Sequence, residues 1–301
     1  MSRSVTVGVD DSAESRAAAE WAAREALLRG LPLKIMSVSE PSPRFLARSP
    51  LLDPDTYRHW AEQVTSQSAD GIRLRHPGIE VITEQLTGTP ADVLCEAAGL
   101  SELLVLGSRT LRGLGGFMVG SVSLGVVARA ERPVVLVRAG EQAADEHDRD
   151  PAGAPSAVTP FRPVVLGLDI DQADDTLLEF AFDAAARRKA PLRIVHAWPE
   201  PPTSFYRFAG DAELYDSLER GQATLLSKVV LPWQQRFPDV EVMEASRCGS
   251  AAEVLVDDSR DASLVVVGRR IRTRSFGARI GHVTHSALHH IAAPVAVVAH
   301  S

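Results

Sequence analysis

The sequence has few of the residues that mark secreted, membrane-bound or nucleic-acid-binding proteins. Its 301 residues include only two cysteines, Cys95 and Cys248, and carry a formal net charge of −7. With one cysteine in each half, a structural disulfide is not expected and a reducing compartment fits. A binder of duplex nucleic acid or of an anionic membrane needs a basic face, which the negative balance argues against. We therefore expect no nucleic-acid partner and no membrane partner.

Long apolar segments are missing as well. No apolar run reaches the roughly 20 residues that a membrane-spanning helix needs. The N-terminus has neither the apolar length nor the cleavage region of a signal peptide. We expect a cytoplasmic protein. The 45% hydrophobic and 24% charged residues are those of an ordinary globular chain.

Three motifs of nucleotide-dependent and hydrolytic enzymes are also absent. The sequence contains no Gly-Lys dipeptide, which excludes a Walker-type P-loop. No Gly-x-Gly-x-x-Gly follows the first strand, so a dinucleotide-dependent oxidoreductase is not expected. Without a Gly-x-Ser-x-Gly, no nucleophile elbow is indicated.

What the chain does contain is an internal repeat. Residues 103–107 read Leu-Leu-Val-Leu-Gly and residues 264–268 read Leu-Val-Val-Val-Gly, 161 positions later. Gly120 and Gly281 stand at the same offset. Asp10 and Asp169 each end a Gly-x-Asp stretch at an offset of 159. The repeat predicts two domains, 1–140 and 161–301, joined by a polar linker rich in Pro and Gly at 141–160.

Within each repeat, apolar strands alternate with helical segments. The expected strands of the first repeat are 5–9, 33–38, 79–86, 103–106 and 134–137, and those of the second are 163–168, 192–197, 240–245, 264–268 and 295–299. Middle strands that are apolar throughout indicate a parallel sheet covered on both faces. The predicted fold class is α/β, with two repeated doubly wound (Rossmann-like, HUP-type) domains, each a five-stranded parallel sheet with helices on both faces.

Polar residues stand where these strands end. Asp10 follows the first strand, Gly107-Ser-Arg follows the fourth, and Gly120 and Ser121 open the next helix. In open parallel sheets, ligands bind beyond the carboxyl ends of the strands, and a helix N-terminus suits a phosphate. The alternative is structural, with a glycine serving a tight turn and an aspartate capping a helix. Repetition of the whole set in both domains favours binding.

Several motifs then follow one another in order. Gly107, Gly120 and Ser121 fit the spacing Gly-x2-Gly-x9-Gly-Ser/Thr, Gly-x-Pro-Ala stands at 88–91, and Arg-Pro-Val-Val-Leu-Val stands at 132–137. Together with the opening Val-Gly-Val-Asp, this set resembles the universal stress protein family. The resemblance covers both repeats, so the chain looks like a tandem member of the actinobacterial kind.

The resemblance implies an ATP-binding fold that senses adenine nucleotides, with Mg²⁺ as an optional companion of ATP. It assigns no catalytic residue and no resident metal. In the first domain it places the nucleotide on Gly8, Val9, Asp10, Ser12, Val38, Gly107, Ser108, Arg109, Gly120, Ser121, Val122 and Ser123. In the second it points to Leu168, Asp169, Ala197, Gly268, Arg269, Arg270, Gly281, His282, Val283 and Thr284.

The chain departs from the family's pattern, mostly in the second repeat. The middle glycine is Thr110 in the first repeat and Ile271 in the second, and the hydroxyl residue after Gly281 is replaced by His282. A β-branched residue disfavours a positive φ. Arginines crowd the second loop and either attract an anion or form a solvated face; they are Arg269, Arg270, Arg272, Arg274 and Arg279. We expect the first domain to bind ATP better than the second.

The leading interpretation is a nucleotide-sensing stress regulator that is non-catalytic or hydrolyses ATP weakly. The alternatives are an ATPase or nucleotidyl-transfer enzyme in which Asp10 helps to place Mg²⁺, and a nucleotide-free dimeric scaffold. The last strands, 134–137 and 295–299, would leave open sheet edges. We expect them to pair as an intramolecular pseudo-dimer, while a further homodimer stays open. His282, His285 and His289 share one predicted helix face and indicate packing or phosphate contact more than a metal site.

Overall fold

The chain divides into two compact units, residues 1–143 and 144–301. The computed structural model describes residues 3–40, 54–110, 117–200, 212–271 and 280–301. The irregular excursions expected at 40–54 and 199–210 and most of the second arginine-rich loop fall largely outside these ranges. None of the described helices is both long and apolar enough to cross a membrane.

The first unit contains six strands and four helices in its described part. In chain order they are β1 (Val5–Gly8), α1 (Ala13–Arg29), β2 (Leu33–Ser39), α2 (Pro54–Arg75), β3 (Val81–Thr87), α3 (Pro90–Gly99), β4 (Leu103–Thr110), β5 (Phe117–Met118), α4 (Ser121–Val127) and β6 (Val134–Arg138). Five strands form a parallel sheet in the order β3-β2-β1-β4-β6. The two-residue β5 pairs antiparallel with the end of β4.

The second unit repeats this arrangement. Its elements are β7 (Val164–Gly167), α5 (Asp175–Arg188), β8 (Leu192–Trp198), α6 (Ala212–Arg236), β9 (Val242–Cys248), α7 (Ala251–Asp258), β10 (Leu264–Arg270), α8 (His282–His290) and β11 (Val295–His300). The parallel strand order is β9-β8-β7-β10-β11. The predicted α/β class, with two doubly wound units, is confirmed.

Local sequence explains where the first helix begins and ends. The Ser12 side chain caps α1 by accepting from the Ser15 N–H at 3.1 Å. Gly30 ends the helix in the left-handed region at φ 62°, which glycine adopts without a Cβ penalty. Alanines at 17, 18, 19, 22, 23 and 26 are buried and let α1 lie close to the sheet. The helix therefore has a fixed start directly beside the end of β1.

Two segments differ from the expectation. The loop expected from Gly107 is strand as far as Thr110, because the residues after Gly107 continue to pair with β6 and then with β5. Residues 144–160, expected as linker, make contacts within the second unit. His147 forms an antiparallel bridge with Phe161, and the Asp148 N–H donates to the Pro160 carbonyl at 2.9 Å. The side chain of Glu146 lies 4.0 Å from the buried Arg188 of α5.

Candidate functional site

A short central strand creates a cleft at the carboxyl edge of the first sheet. β1 ends at Gly8, while its neighbours β2 and β4 continue to Ser39 and Thr110. The chain passes from β1 outwards to β2 and β3, and then returns to the other side of β1 as β4. The strand order therefore reverses between β1 and β4, the position at which doubly wound sheets bind ligands.

A cavity of about 310 Å³ occupies this cleft. Its apolar lining includes Met36 and Val38 of β2 together with Leu94 and Leu106. Ten of the twelve residues predicted for the first domain line the cavity, namely Gly8, Val9, Asp10, Ser12, Val38, Gly107, Gly120, Ser121, Val122 and Ser123. The structure thus brings together residues that lie more than 100 positions apart in the chain.

The turn after β1 is held by hydrogen bonds between short polar side chains. The backbone N–H and the hydroxyl of Ser12 both donate to Asp10 Oδ1, at 3.2 and 2.6 Å. The Asp10 N–H donates to the Ser15 hydroxyl at 3.3 Å. Asp11 adopts a positive φ of 63°, so the chain reverses sharply here. The exposed Asp10 carboxylate is therefore held at the mouth of the cavity.

The two predicted phosphate glycines differ in what they touch. A Cβ at Gly107 would lie 2.6 Å from the backbone carbon of Glu14, so glycine is needed there for α1 to pack on β4. A Cβ at Gly120 would meet no described atom within 4 Å, and its φ of −63° suits any residue. Neither packing nor backbone conformation in the described residues requires glycine at position 120.

The hydroxyl residues predicted for the phosphates have separate surroundings. Ser121 is exposed at the first position of α4, and no described side chain caps this helix. Ser123 is buried and donates to the Gly107 carbonyl at 3.2 Å, which ties α4 to β4. Ser108 is buried, accepts a hydrogen bond from Arg138 and is not among the residues that line the cavity, although the neighbouring Gly107 is. The side chain of Arg109 lies outside the described part.

In the second unit, the segment between the first strand and the first helix is longer than in the first unit. After β7, the exposed Asp169 accepts from the Asp171 N–H at 3.1 Å and begins a short 3₁₀ turn before α5. Leu168 is buried and Ala197 is half-buried. His196 of β8 is buried, and its Nδ1 lies 3.1 Å from the Leu168 carbonyl oxygen. Here Gly268 faces His300, whose Nε2 would lie 2.7 Å from an added Cβ.

The start of α8 reproduces that of α4. Gly281 has φ −67° and ψ 160°, and Thr284 donates to the Gly268 carbonyl at 2.8 Å, as Ser123 does to Gly107. His282 is exposed where the first unit has Ser121, and Val283 is half-buried. Of the loop arginines, Arg269 is buried and Arg270 is exposed, while Arg272, Arg274 and Arg279 lie outside the described residues.

Two histidines of α8 lie side by side. The rings of His285 and His289 are 4.4 Å apart between centroids. Partial burial lowers the pKa of His285, and the nearby His289 and His290 lower it further. Within the described ranges, no group of three or more His, Cys, Asp or Glu side chains is arranged to hold a metal ion.

Comparison with known proteins decides the family. The sequence model described as universal stress protein family matches residues 1–138 and 160–299. The chain belongs to the universal stress protein family. Because the two matched segments are the two repeats, the predicted tandem membership is confirmed.

Curated relatives extend over nearly the whole chain. A universal stress protein of Mycolicibacterium smegmatis is 32% identical over 98% of this chain and 96% of its own. One of Mycobacterium tuberculosis is 32% identical over 99% of this chain and 97% of its own. The crystal structure of a universal stress protein from Archaeoglobus fulgidus superimposes with a TM-score of 0.70 at 18% identity, covering 99% of this chain and 98% of that chain. This last likeness supports the fold alone.

Sequence reasoning missed several residues that line the cavity. They are Glu14, Ser15, Met36, Pro90, Leu94 and Leu106. Leu106 and Met36 could have been found from the sequence. Leu106 directly precedes Gly107, and Met36 lies two residues before Val38, and both of these are predicted binding positions. Leu94 could not be placed from spacing, because its contact with Gly8 depends on how α3 packs against β1.

Proposed function

We propose that the first unit binds ATP in its strand-end cleft and that the protein is a nucleotide-sensing stress regulator, non-catalytic or weakly hydrolysing. The observation that carries this proposal is the cavity of about 310 Å³, which is lined both by apolar side chains and by serine hydroxyls, with the N-terminus of α4 among its lining. Pockets of this size and mixed lining are typical of small-molecule sites.

The residues present fit the two halves of a nucleotide. Val9, Met36, Val38 and Leu106 offer apolar surface to a base, and Asp10 offers an acceptor to a sugar hydroxyl. Where α4 begins beside the cavity, the first N–H groups of the helix have no intrahelical acceptor. The space beside Gly120 leaves room for phosphate oxygens to approach the backbone. Mg²⁺ would accompany the phosphates and strengthen binding.

Replacing Gly120 by valine tests the proposal. The new side chain enters open space at an ordinary φ, so we expect the melting temperature to stay unchanged while ATP affinity in the first unit falls by at least about tenfold. Gly99→Val is the matched control, since Gly99 also faces open space but lies outside the cavity lining. Unchanged ATP binding in Gly120→Val, measured by calorimetry, would show that the cleft is not the site.

A second measurement separates regulator from enzyme. Steady ATP turnover that disappears in Asp10→Ala would favour the ATPase, whereas bound nucleotide without turnover favours the sensor. Mass spectrometry of the purified protein for copurified adenine nucleotide gives an independent readout. Pairing of the β6 and β11 edges within the chain, a further homodimer, a cytoplasmic location and nucleotide binding in the second unit stay predictions.

A further inference from the structure

Each unit has a buried arginine at the same register position of its sheet. In the first unit, Ser108 of β4 pairs with Arg138 of β6. In the second, Arg269 of β10 pairs with Ala299 of β11. Ser108 corresponds to Arg269 and Arg138 to Ala299 at the repeat offset of 161. The arginine stands on the last strand of the sheet in the first unit and on the preceding strand in the second. In both units the paired positions hold one arginine and one small residue.

Both arginines are buried, which makes their retention costly. Arg138 is 3% exposed and Arg269 is 6% exposed. Burial lowers the pKa of Arg138 to about 10, so the group is still a cation at neutral pH. A buried charge is expensive to remove from water. The two repeats thus keep a buried cation at one register position with different residues.

The position adjoins the candidate binding cleft. Side chains alternate along a strand, so Ser108 lies on the same face of the sheet as Leu106, which lines the cavity. Arg138 donates from Nη1 to the Ser108 hydroxyl. The next residue back, Gly107, lines the cavity and accepts from Ser123 of α4. The guanidinium is therefore hydrogen-bonded to the residue that follows Gly107, at the corner where the Ser123 hydroxyl ties α4 to β4.

We propose that Arg138, and Arg269 in the second unit, are positioning residues that hold the anionic part of the ligand at this corner by their charge. The inference rests on the proposed nucleotide function and specifies which part of the ligand the corner favours. A buried cation acts over a longer distance than a surface one, because little water screens it. The attraction grows with ligand charge, so ATP benefits most, AMP less and adenosine not at all.

The test measures three ligands on each variant. All proteins are full-length and carry Gly281→Val, so that the reported binding is that of the first unit. In Arg138→Met and Arg138→Gln, we expect ATP affinity to fall by about tenfold, AMP affinity to fall less, and adenosine affinity to stay within about twofold. Glutamine keeps a donor for Ser108 without the charge. Arg138→Lys keeps the charge and should recover most of the ATP affinity.

Arg132→Met is the matched control. It removes the same charge just before the opposite end of β6, about 20 Å from Arg138 at the usual rise per residue. An equal loss for ATP and adenosine in the Arg138 variants would overturn the proposal in favour of a structural role, and so would an effect of Arg132→Met as large as that of Arg138→Met. If the parent protein binds neither ATP nor adenosine, the nucleotide function itself is wrong. If it binds both and the variants keep the same ATP-to-adenosine ratio, only the role of Arg138 is wrong.

Discussion

The two units share their strand order but enter their first helix differently. In the first unit, α1 begins at Ala13, and the backbone of Glu14 lies against Gly107. In the second, a 3₁₀ turn over Ile170–Gln172 delays the start of α5 to Asp175. The face of Gly268 that would meet the helix backbone is covered instead by the His300 ring and Leu177.

The helix starts of α4 and α8 resemble each other in backbone conformation more than in sequence. Gly120 and Gly281 have nearly the same backbone conformation and the same open space beside them. Ser123 and Thr284 donate to equivalent carbonyls. In the described residues, the backbones of the two units therefore differ more in the segment after the first strand than at the helix starts after Gly120 and Gly281. A repeated glycine is weak support for a repeated ligand site, since an added Cβ at Gly107 would meet the backbone of Glu14 and one at Gly268 would meet the side chains of His300 and Leu177.

The largest expected effect concerns how each unit holds a buried arginine. Arg29 of α1 is paired with Glu25 of the same helix at 2.6 Å, both side chains are almost fully buried, and Glu102 lies 4.0 Å from the same guanidinium. For Arg188 of α5, the carboxylate given by the described contacts is that of Glu146, which lies outside the helix at 4.0 Å. Glu25→Ala should destabilise the first unit by about 3–5 kcal/mol, because removing one partner of a buried pair leaves a buried charge poorly compensated. Glu146→Ala should cost the second unit less.

Hydrogen exchange followed by mass spectrometry can measure both effects, because it reports on the strands of each unit separately. Asp183→Ala is the control, since its pair with Arg187 is also four residues apart but partly exposed. Such pairs contribute no more than about 1 kcal/mol. A loss from Glu146→Ala that exceeds the loss from Glu25→Ala would reverse the comparison and make residues 144–160 the stronger anchor.

A second pair of variants compares the packing glycines. Gly107→Ala places a methyl group against the backbone of Glu14, which cannot move without shifting α1, so we expect a loss of about 3 kcal/mol. Gly268→Ala meets the His300 ring, a side chain that can rotate away, and should cost about 1 kcal/mol. Urea unfolding of both variants measures the difference. His300→Ala should relieve the cost of Gly268→Ala, and no relief would mean that the ring is not the obstacle.

The sequence predicted what depends on local pattern. The alternation of strands and helices follows from periodicity, and the places of Asp10, Gly107, Gly120 and Ser121 follow from strand-end and helix-start position. The other predicted residues that line the cavity come from the family resemblance. Contacts made across the fold were not predictable in the same way. The role of Gly107 depends on how close α1 lies to β4, and the place of His300 depends on the late start of α5.

Residues 144–160 illustrate the same limit. Their polar composition, rich in Pro and Gly, is that of a flexible linker, yet the segment bridges to Phe161 and brings Glu146 near Arg188. Composition reports the average preference of a segment, whereas a single ion pair with a distant helix changes its role. The extension of β4 to Thr110 has a similar origin, because its strand partners, β6 and β5, lie elsewhere in the chain.

The third prediction tests the two clefts against each other. We expect ATP to occupy the first unit before the second, with affinities that differ by about ten- to a hundredfold, since a lost hydrogen bond to a charged phosphate costs about 1.5–3 kcal/mol. Full-length Gly120→Val and Gly281→Val isolate the two sites for calorimetry. His282→Ser should raise the affinity of the second site at neutral pH. Equal affinity of the two sites at neutral pH would show that Ser121 and His282 are interchangeable.

The smallest expected effect separates the two helix caps by pH. The first unit caps α1 with the neutral Ser12, whereas the second caps α5 with Asp174. Burial alone would raise the pKa of Asp174, but hydrogen bonds from Thr176 and Ser301 and the nearby His300 outweigh it, so the pKa lies below its ordinary value. A carboxyl with a lowered pKa stabilises the folded state above its unfolded pKa, and that contribution is lost as the pH falls through the folded value.

Acidification below about pH 4 should therefore weaken α5 through Asp174, and the cap of α1 should show no such dependence. Asp174→Ser gives the second unit the cap of the first and should remove this part of its acid sensitivity. Because serine is also a good cap, stability at pH 7 should change by no more than about 0.5 kcal/mol. Hydrogen exchange in α5 at pH 7 and at pH 3.5, with exchange rates corrected for pH, measures both quantities. If Asp174→Ser is as acid-sensitive as the parent protein, the low-pH loss arises elsewhere in the second unit and the difference between the caps has no consequence for stability.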